Sequence, residues 1–128
     1  MKISAAAANL TCDALVNALE GGTIRVYSGS QPATVATAAT GTLLATLTID
    51  ASAFPAASGG SSTATNITAD SSGDANGAPG YCRFATSGGT DLVDMSAGVG
   101  SGEVNFNANV SLGGAVDITS LTIAIPLA

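Results

Sequence analysis

The period of the apolar residues changes directly after the glycine pair at positions 21 and 22, and this change constrains the fold more than any other feature. Before the pair, apolar residues recur at i, i+3, i+4 and i+7, which predicts one stripe on a helix from about Ser4 to Glu20. The stripe consists of Cys12, Leu15, Val16 and Leu19. Ser4 is a typical N-cap, and glycines supply the left-handed conformations that end helices. After the pair the side chains alternate, which predicts strands.

Short alternating runs separated by glycine-rich turns fill the rest of the chain. The predicted strands cover residues 24–27, 42–49, 63–68, 81–85, 92–95, 103–110 and 116–125. No second helical pattern alternates with them, which is typical of antiparallel β architectures. We therefore predict a mainly β fold, an antiparallel β-sandwich or jelly-roll-like barrel, in a single domain of 128 residues. Residues 1–22 form its N-terminal helix and cap, and residues 23–128 form the sandwich.

Two sets of side chains are candidates for an interface. The helical stripe must pack on something, because an isolated helix of this length is marginally stable in water. Its cover is either the protein's own sheet or a partner subunit, which makes Leu15 and Leu19 candidate contacts. In the predicted strand 103–110, a row of amides lies on one face, and it either contacts a neighbouring subunit or faces solvent. The row consists of Asn105, Asn107 and Asn109.

The chain is poor in charge. Three basic residues stand against nine acidic ones, and charged residues make up 9% of the sequence, with a formal net charge of −6. An ordinary soluble domain has about 25% charged residues. Three cations cannot build the basic face that tracks phosphates, so nucleic acid is not an expected partner. A surface with so few charges is poorly protected against association. We therefore expect a homo-oligomer, with a trimer as the expected copy number, seated among other proteins.

The N-terminus superficially resembles a signal peptide, because Lys2 is followed by Ile3 and a run of alanines. Asn9, Thr11 and Asp13 interrupt the apolar stretch before it reaches a useful length. No stretch approaches the ~20 apolar residues of a membrane span. We expect synthesis in the cytoplasm of a host bacterium, without a signal peptide and without a membrane partner.

Catalysis is not expected from this sequence. It contains no histidine, and its one lysine is Lys2. A hydroxyl or thiol nucleophile would therefore have only scattered carboxylates as bases. The pairs Asp70/Asp74 and Asp91/Asp94 fall in or beside predicted turns, where Asp is favoured because it hydrogen-bonds to nearby backbone. The sequence predicts neither a catalytic residue nor a cofactor.

The loop at residues 70–77 (DSSGDANG) is the sharpest local pattern. Asp70, Asp74 and Asn76 place three oxygen ligands in a glycine-bearing loop, and oxygen ligands suit Ca²⁺. The spacing departs from that of an EF-hand, and no glutamate closes the loop. A solvated turn accounts for the same residues through ordinary turn chemistry. The calcium site is the weaker of the two interpretations.

Cys12 and Cys82 are too far apart in the sequence to form a CxxC redox pair or, without other ligands, a zinc site. In a reducing cytosol they would be two buried thiols that pack as small apolar groups. In a particle that leaves the cell, the oxidising surroundings would permit a disulfide within or between chains.

Two consecutive β segments carry a resemblance to a known group of proteins. Residues 24–33 (IRVYSGSQPA) and 41–48 (GTLLATLT) are similar to a recurrent sequence in small phage and prophage virion proteins. The similarity extends to residues 13–16, 53–54, 68–74 and 116–123. The resemblance implies a structural component of a bacteriophage virion.

Within the virion, we expect a decoration or cementing protein on the capsid exterior that stabilises the shell by binding across subunits of the major capsid protein. A tail, neck or fibre component is the alternative within the same class. From a different class, a carbohydrate- or receptor-binding β module is the other alternative, because β-sandwiches host such sites. The sequence has no Trp and few aromatic platforms for sugars. An exposed Tyr27 or Tyr81 beside a pocket would favour that alternative.

Overall fold

The helix begins at a serine cap and ends at the glycine pair, as the sequence predicts. The computed structural model describes residues 2–125, and its helix α1 spans Ala5–Leu19. The Ser4 hydroxyl accepts a hydrogen bond from the backbone N–H of Ala7 at 3.1 Å, which satisfies one of the free donors of the first turn. The two glycines serve different needs. Gly21 adopts a φ of +82°, whereas a Cβ on Gly22 would lie 1.9 Å from the carbonyl oxygen of Ala85.

Eight strands follow the helix. They are β1 (Thr23–Tyr27), β2 (Leu43–Ile49), β3 (Ser61–Thr63), β4 (Ile67–Thr68), β5 (Tyr81–Ala85), β6 (Asp91–Val99), β7 (Val104–Phe106) and β8 (Ile118–Ala124). They form one sheet in the order β3-β8-β7-β6-β5-β1-β2-β4. The prediction of a mainly β fold with one N-terminal helix is confirmed for the described residues.

The sheet is mixed, because β6 and β7 run parallel while every other pair is antiparallel. The sequence predicts an ordinary turn for the glycine-rich segment between them. Instead, this segment makes a full loop, so that β7 runs beside β6 in the same direction. Ala97 pairs with Val104, only seven positions later. Gly100 and Gly102 have φ values of +71° and +79°, and this left-handed backbone makes such a tight coil accessible.

The two edge strands of the sheet are consecutive in the sequence. Residues 64–66 join β3 at one edge to β4 at the other, a connection that spans at most about 14 Å. The sheet must therefore curl until its edges are neighbours. Two contacts join the chain around β4 to β8, the neighbour of β3: the N–H of Ala64 donates to the carbonyl of Leu121 at 2.9 Å, which continues the β3–β8 ladder, and Asp70, just after β4, forms an antiparallel bridge with Val116, just before β8. We call the line between residues 64–70 and residues 116–121 the seam.

The core lies inside the curl of the sheet, and α1 packs against it. Inward-facing residues of the strands and the buried residues of α1 form one apolar cluster. Leu44 and Ala45 are both buried although they are adjacent, because the register of β1 and β2 shifts between Val26 and Tyr27. This shared core fixes which face of each strand is left for function.

Candidate functional site

Both arginines and both tyrosines of the sequence lie together on the outer face of β1 and β5. The inward-facing residues of these strands belong to the core, so their neighbours point outward. The register places Arg25 opposite Arg83 and Tyr27 opposite Tyr81. The two tyrosine rings stack, with centroids 5.1 Å apart and planes 12° from parallel. This face is therefore the polar and aromatic centre of the sheet.

Each arginine of this face is paired with an aspartate from β6. Arg83 makes a bidentate contact with Asp94, with Nε to Oδ1 at 2.7 Å and Nη2 to Oδ2 at 2.8 Å, and both side chains are buried. This hydrogen-bonded contact raises the pKa of Arg83. Arg25 pairs with Asp91, but each of those side chains is 31% exposed. β6 lies directly beside β5, and the register of these two strands places Asp94 opposite Arg83.

A long loop at residues 28–42, which we call the strap, crosses this face. The backbone N–H of Ser28 donates to the carbonyl of Thr42 at 3.0 Å and closes the base of the loop. Arg83 donates through Nη1 to the carbonyl of Thr37 at 2.8 Å. The Tyr81 hydroxyl donates to the carbonyl of Thr40 at 2.7 Å and accepts from its N–H at 2.9 Å. A compact loop with joined ends is a common carrier of function.

Under the strap, neither tyrosine offers a platform for a ligand. Tyr81 is fully buried and Tyr27 is 8% exposed. The Tyr81 hydroxyl is hydrogen-bonded to the strap. Neither tyrosine lines the pocket between residues 64–67 and 117–121. The observation that would have favoured sugar stacking on these tyrosines is therefore absent from this face.

Seven of the nine carboxylates are held by donors of the same chain, and the two exceptions among the described residues are Asp74 and Asp117. The seven are Asp13, Glu20, Asp50, Asp70, Asp91, Asp94 and Glu103. Most of these side chains therefore brace the backbone or pair with arginine.

The loop at residues 70–77 is a braced turn. Asp70 accepts from the backbone N–H groups of Thr46 at 2.9 Å and Ser72 at 3.0 Å, so both of its carboxylate oxygens are occupied. The side-chain oxygen of Asn76 accepts from the N–H of Leu112 at 2.9 Å. Asp74 is exposed. In residues 2–125 no group of three or more His, Cys, Asp and Glu side chains could hold a metal ion. The turn interpretation of this loop agrees with its hydrogen bonds.

The cysteines are two free, buried thiols, so the structure contains no disulfide between Cys12 and Cys82. The Cys12 thiol lies 3.5 Å from the carbonyl oxygen of Ile123 on β8. Burial raises the pKa of both thiols, that of Cys82 to about 12. They pack as small apolar groups of the core.

The predicted helical stripe packs on the protein's own sheet, which is the first of the two covers that the sequence left open. Leu19 is fully buried in the core, and Leu15 is half-buried against it. A contact of the half-exposed Leu15 with another subunit stays a prediction. The large exposed apolar residue of α1 is Leu10, 73% exposed on the opposite face of the helix. The helical period alone finds the apolar stripe but does not identify this second face.

The predicted row of amides does not form, because the strand ends too early. β7 stops at Phe106, so Asn107 and Asn109 lie beyond the strand and are exposed. Asn105 is half-buried and directs its amide nitrogen to the carbonyl of Gly102 and the hydroxyl of Ser120. The strand predicted over residues 103–110 is therefore wrong beyond Phe106, and a contact of these three asparagines with a neighbouring subunit stays a prediction.

A pocket opens at the seam, and no sequence pattern predicts it. It has a volume of about 280 Å³ and lies between residues 64–67 and residues 117–121. Between the Ala64 contact and the Asp70 bridge, no backbone hydrogen bond joins residues 65–69 to residues 117–120. The gap arises from the strand order, which brings β4 beside β8, and periodicity alone does not give that order.

Comparison of the chain with protein-family models, curated proteins and solved structures finds no match. Within residues 2–125, the helix falls short of the length and apolar character needed to cross a membrane.

Proposed function

We propose that this chain is a structural protein of a bacteriophage virion, and specifically a decoration protein that binds the capsid exterior across subunits of the major capsid protein. The proposal takes up the resemblance expected from residues 24–33 and 41–48, for which the comparisons found no match, and adds to it the character of the surface. In this role the protein would act without catalysis, cofactor or metal.

The observation that carries the proposal is the charge-free outer face of α1. Ala6, Leu10, Ala14 and Ala18 are exposed at successive i+4 positions and form one apolar stripe, which we call the outer stripe. Leu10 is its most prominent member. Covering one such leucine side chain contributes roughly 1.5–3 kcal/mol.

Three polar side chains on and beside α1 bond to a loop rather than to this stripe, whereas the uncharged Thr11 and Asn17 are exposed. Asn9 accepts from the N–H of Gly60 at 2.7 Å, and Asp13 accepts from the N–H of Ala57 at 2.8 Å. Glu20, just after the helix, accepts from the N–H of Phe54 at 3.1 Å. These three side chains brace the loop at residues 53–60. No charged side chain of the described helix therefore has to lose its water when the outer stripe is covered.

The outer stripe alone is too small for a stable interface, and this favours an oligomer. A specific interface buries about 800 Å² per partner, more than one stripe on a 15-residue helix offers. A trimer presents three stripes at once, and linked copies bind with greater avidity than single ones. Binding to the assembled shell and not to its precursors would stabilise the shell by mass action.

The test compares two leucines of similar exposure. Leu10→Asp introduces a charge on the outer stripe, and the control Leu112→Asp does the same on a loop where the leucine is 66% exposed. Cosedimentation with empty capsids of the phage that encodes the chain, together with light scattering, gives the readout. Leu10→Asp is expected to abolish cosedimentation while Leu112→Asp retains it. If Leu112→Asp lost binding while Leu10→Asp kept it, the result would contradict the role of the outer stripe.

A place in the tail, neck or fibre is the alternative within the same class, and cosedimentation with purified tails distinguishes it.

The alternative of a carbohydrate-binding module is favoured by one specific observation, the pocket at the seam.

A further inference from the structure

The pocket at the seam is a gap in the wall of the curled sheet. The seam is tied by Ala64 to Leu121 at one end and by Asp70 to Val116 at the other. Between these ties, β4 pairs with β2 on one side and leaves its other side to the pocket. The backbone N–H and C=O groups on the unpaired side of a strand need polar partners, and a bound ligand with donors and acceptors can supply them.

Three residues with uncharged hydroxyl groups line this gap. They are Thr65, Thr119 and Ser120, and all three are exposed. Each hydroxyl already has one partner within the chain: Thr65 donates to the carbonyl of Ala53, Thr119 donates to the carbonyl of Asn105, and Ser120 accepts from the Asn105 side chain. A hydroxyl has one donor and two acceptor positions, so each can still bind a ligand.

Asp117 supplies the one charged group of the pocket. Its carboxylate makes no hydrogen bond or ion pair with the described residues, unlike seven of the other acids. A free carboxylate accepts hydrogen bonds from two adjacent hydroxyls of one ligand. The same charge, in a chain with a net charge of −6, repels anions.

Four apolar residues complete the lining: Ala64, Ile67, Ile118 and Leu121. Leu121 is buried, and the other three are half-buried. Hydroxyls, one free carboxylate and a small apolar wall suit the ring of a sugar, which has hydroxyls at its edge and C–H groups on its faces. A volume of about 280 Å³ lies just below the range of drug-sized pockets, so one sugar ring is the appropriate size.

We propose that the seam pocket binds a single neutral saccharide residue, with Asp117 accepting hydrogen bonds from two neighbouring sugar hydroxyls. The site is separate from the outer stripe of α1, since it contains no residue of the helix. It therefore does not depend on the proposed capsid attachment. Without an aromatic platform, we expect weak binding of one residue, with a Kd of about 1–10 mM.

The test is a titration of the ¹⁵N-labelled full chain with neutral monosaccharides, followed by amide NMR shifts. The probes are glucose, galactose, mannose, rhamnose and N-acetylglucosamine, each taken to several times the expected Kd. At least one sugar is expected to shift the amides of Thr65, Thr119 and Ser120 in a saturable way. The absence of saturable shifts there with all five sugars would overturn the proposal.

Matched variants test the role of the carboxylate. Asp117→Ala is expected to weaken binding at least tenfold, whereas Asp74→Ala, which removes an exposed carboxylate outside the pocket, should leave it unchanged. Equal effects of the two variants would contradict a specific contact with Asp117. Ser120→Ala provides a second variant if Asp117→Ala lacks a folded spectrum, and it too should weaken binding. Shifts at the pocket produced by calcium or by an amine, but not by sugars, would overturn the ligand class.

Discussion

The buried pair of Arg83 and Asp94 provides a sharp test of how the strap and the sheet are held together. Asp94→Ala would leave the guanidinium of Arg83, whose side chain is 3% exposed, without its two carboxylate contacts at 2.7 and 2.8 Å. Removing one partner of a buried pair typically costs about 3–5 kcal/mol, because the other charge stays buried and unpaired. A domain of this size is stable by roughly 5–15 kcal/mol, so the expected loss is a large fraction of the total.

The second ion pair of the same face supplies the control. Asp91→Ala removes the partner of Arg25, where both side chains are 31% exposed. Water can replace the lost carboxylate there, and exposed pairs contribute about 0–1 kcal/mol. Urea denaturation followed by circular dichroism gives both free energies of unfolding, with the m-value as a check on two-state behaviour. Similar losses in the two variants would refute the argument from burial.

A milder variant keeps this test decisive if Asp94→Ala does not fold. Asp94→Asn retains an acceptor but loses the charge, and it should be less destabilising than Asp94→Ala. The double variant Arg83→Met with Asp94→Leu removes both charges, and replacing a buried pair by apolar residues is often neutral or stabilising. It should recover much of the lost stability, although the strap loses the contact of Arg83 with Thr37.

Four further predictions follow from burial and hydrogen bonding. Leu19→Ala should lower the free energy of unfolding by about 2–5 kcal/mol, because Leu19 is buried in the core. Leu10→Ala should change it by less than about 0.5 kcal/mol in the free chain, because Leu10 is exposed. Urea denaturation measures both, and a larger loss in Leu10→Ala would contradict the assigned helix faces. Cys12 and Cys82 should resist a thiol reagent near neutral pH until urea is added, and rapid labelling of the folded protein would show that they are accessible. Because burial raises the pKa of Cys82 to about 12, stability should fall as pH rises from 9.0 towards 12, and Cys82→Ala should flatten that slope. Asp70→Ala should lower Tm, because the Asp70 carboxylate accepts two backbone hydrogen bonds. Calcium should leave the Tm of the unaltered protein unchanged. A rise in Tm with calcium would support a metal site.

The local features of the fold could be predicted from the sequence, because each depends on a few neighbouring residues. The Ser4 cap, the end of the helix at Gly21 and the outward alternation of β1 all follow from short-range rules. The parallel pairing of β6 and β7 could not be predicted, since the segment between them also matches an ordinary hairpin turn. The predicted strand 63–68 is two short strands at opposite edges of the sheet, and that separation depends on long-range closure.

The candidate site was largely hidden from the sequence for the same reason. Asp91 and Asp94 match turn residues in the sequence, yet β6 carries them beside the two arginines. The seam pocket joins residues about 50 positions apart, and only the strand order brings Thr65 near Asp117. Helical periodicity predicts the buried stripe, but it does not decide between its two possible covers, and only the fold shows that the sheet covers Leu19.

The most direct test of the proposed virion role is an image of the virion made by the phage or prophage that, on this proposal, encodes the chain. Cryo-electron microscopy should place the curled sheet on the exterior of the capsid as a trimer, with α1 and Leu10 against subunits of the major capsid protein. Density for the chain in the tail, neck or fibre would move it to another part of the virion. Particles that lack the chain altogether, confirmed by mass spectrometry of the purified virion, would contradict the claim.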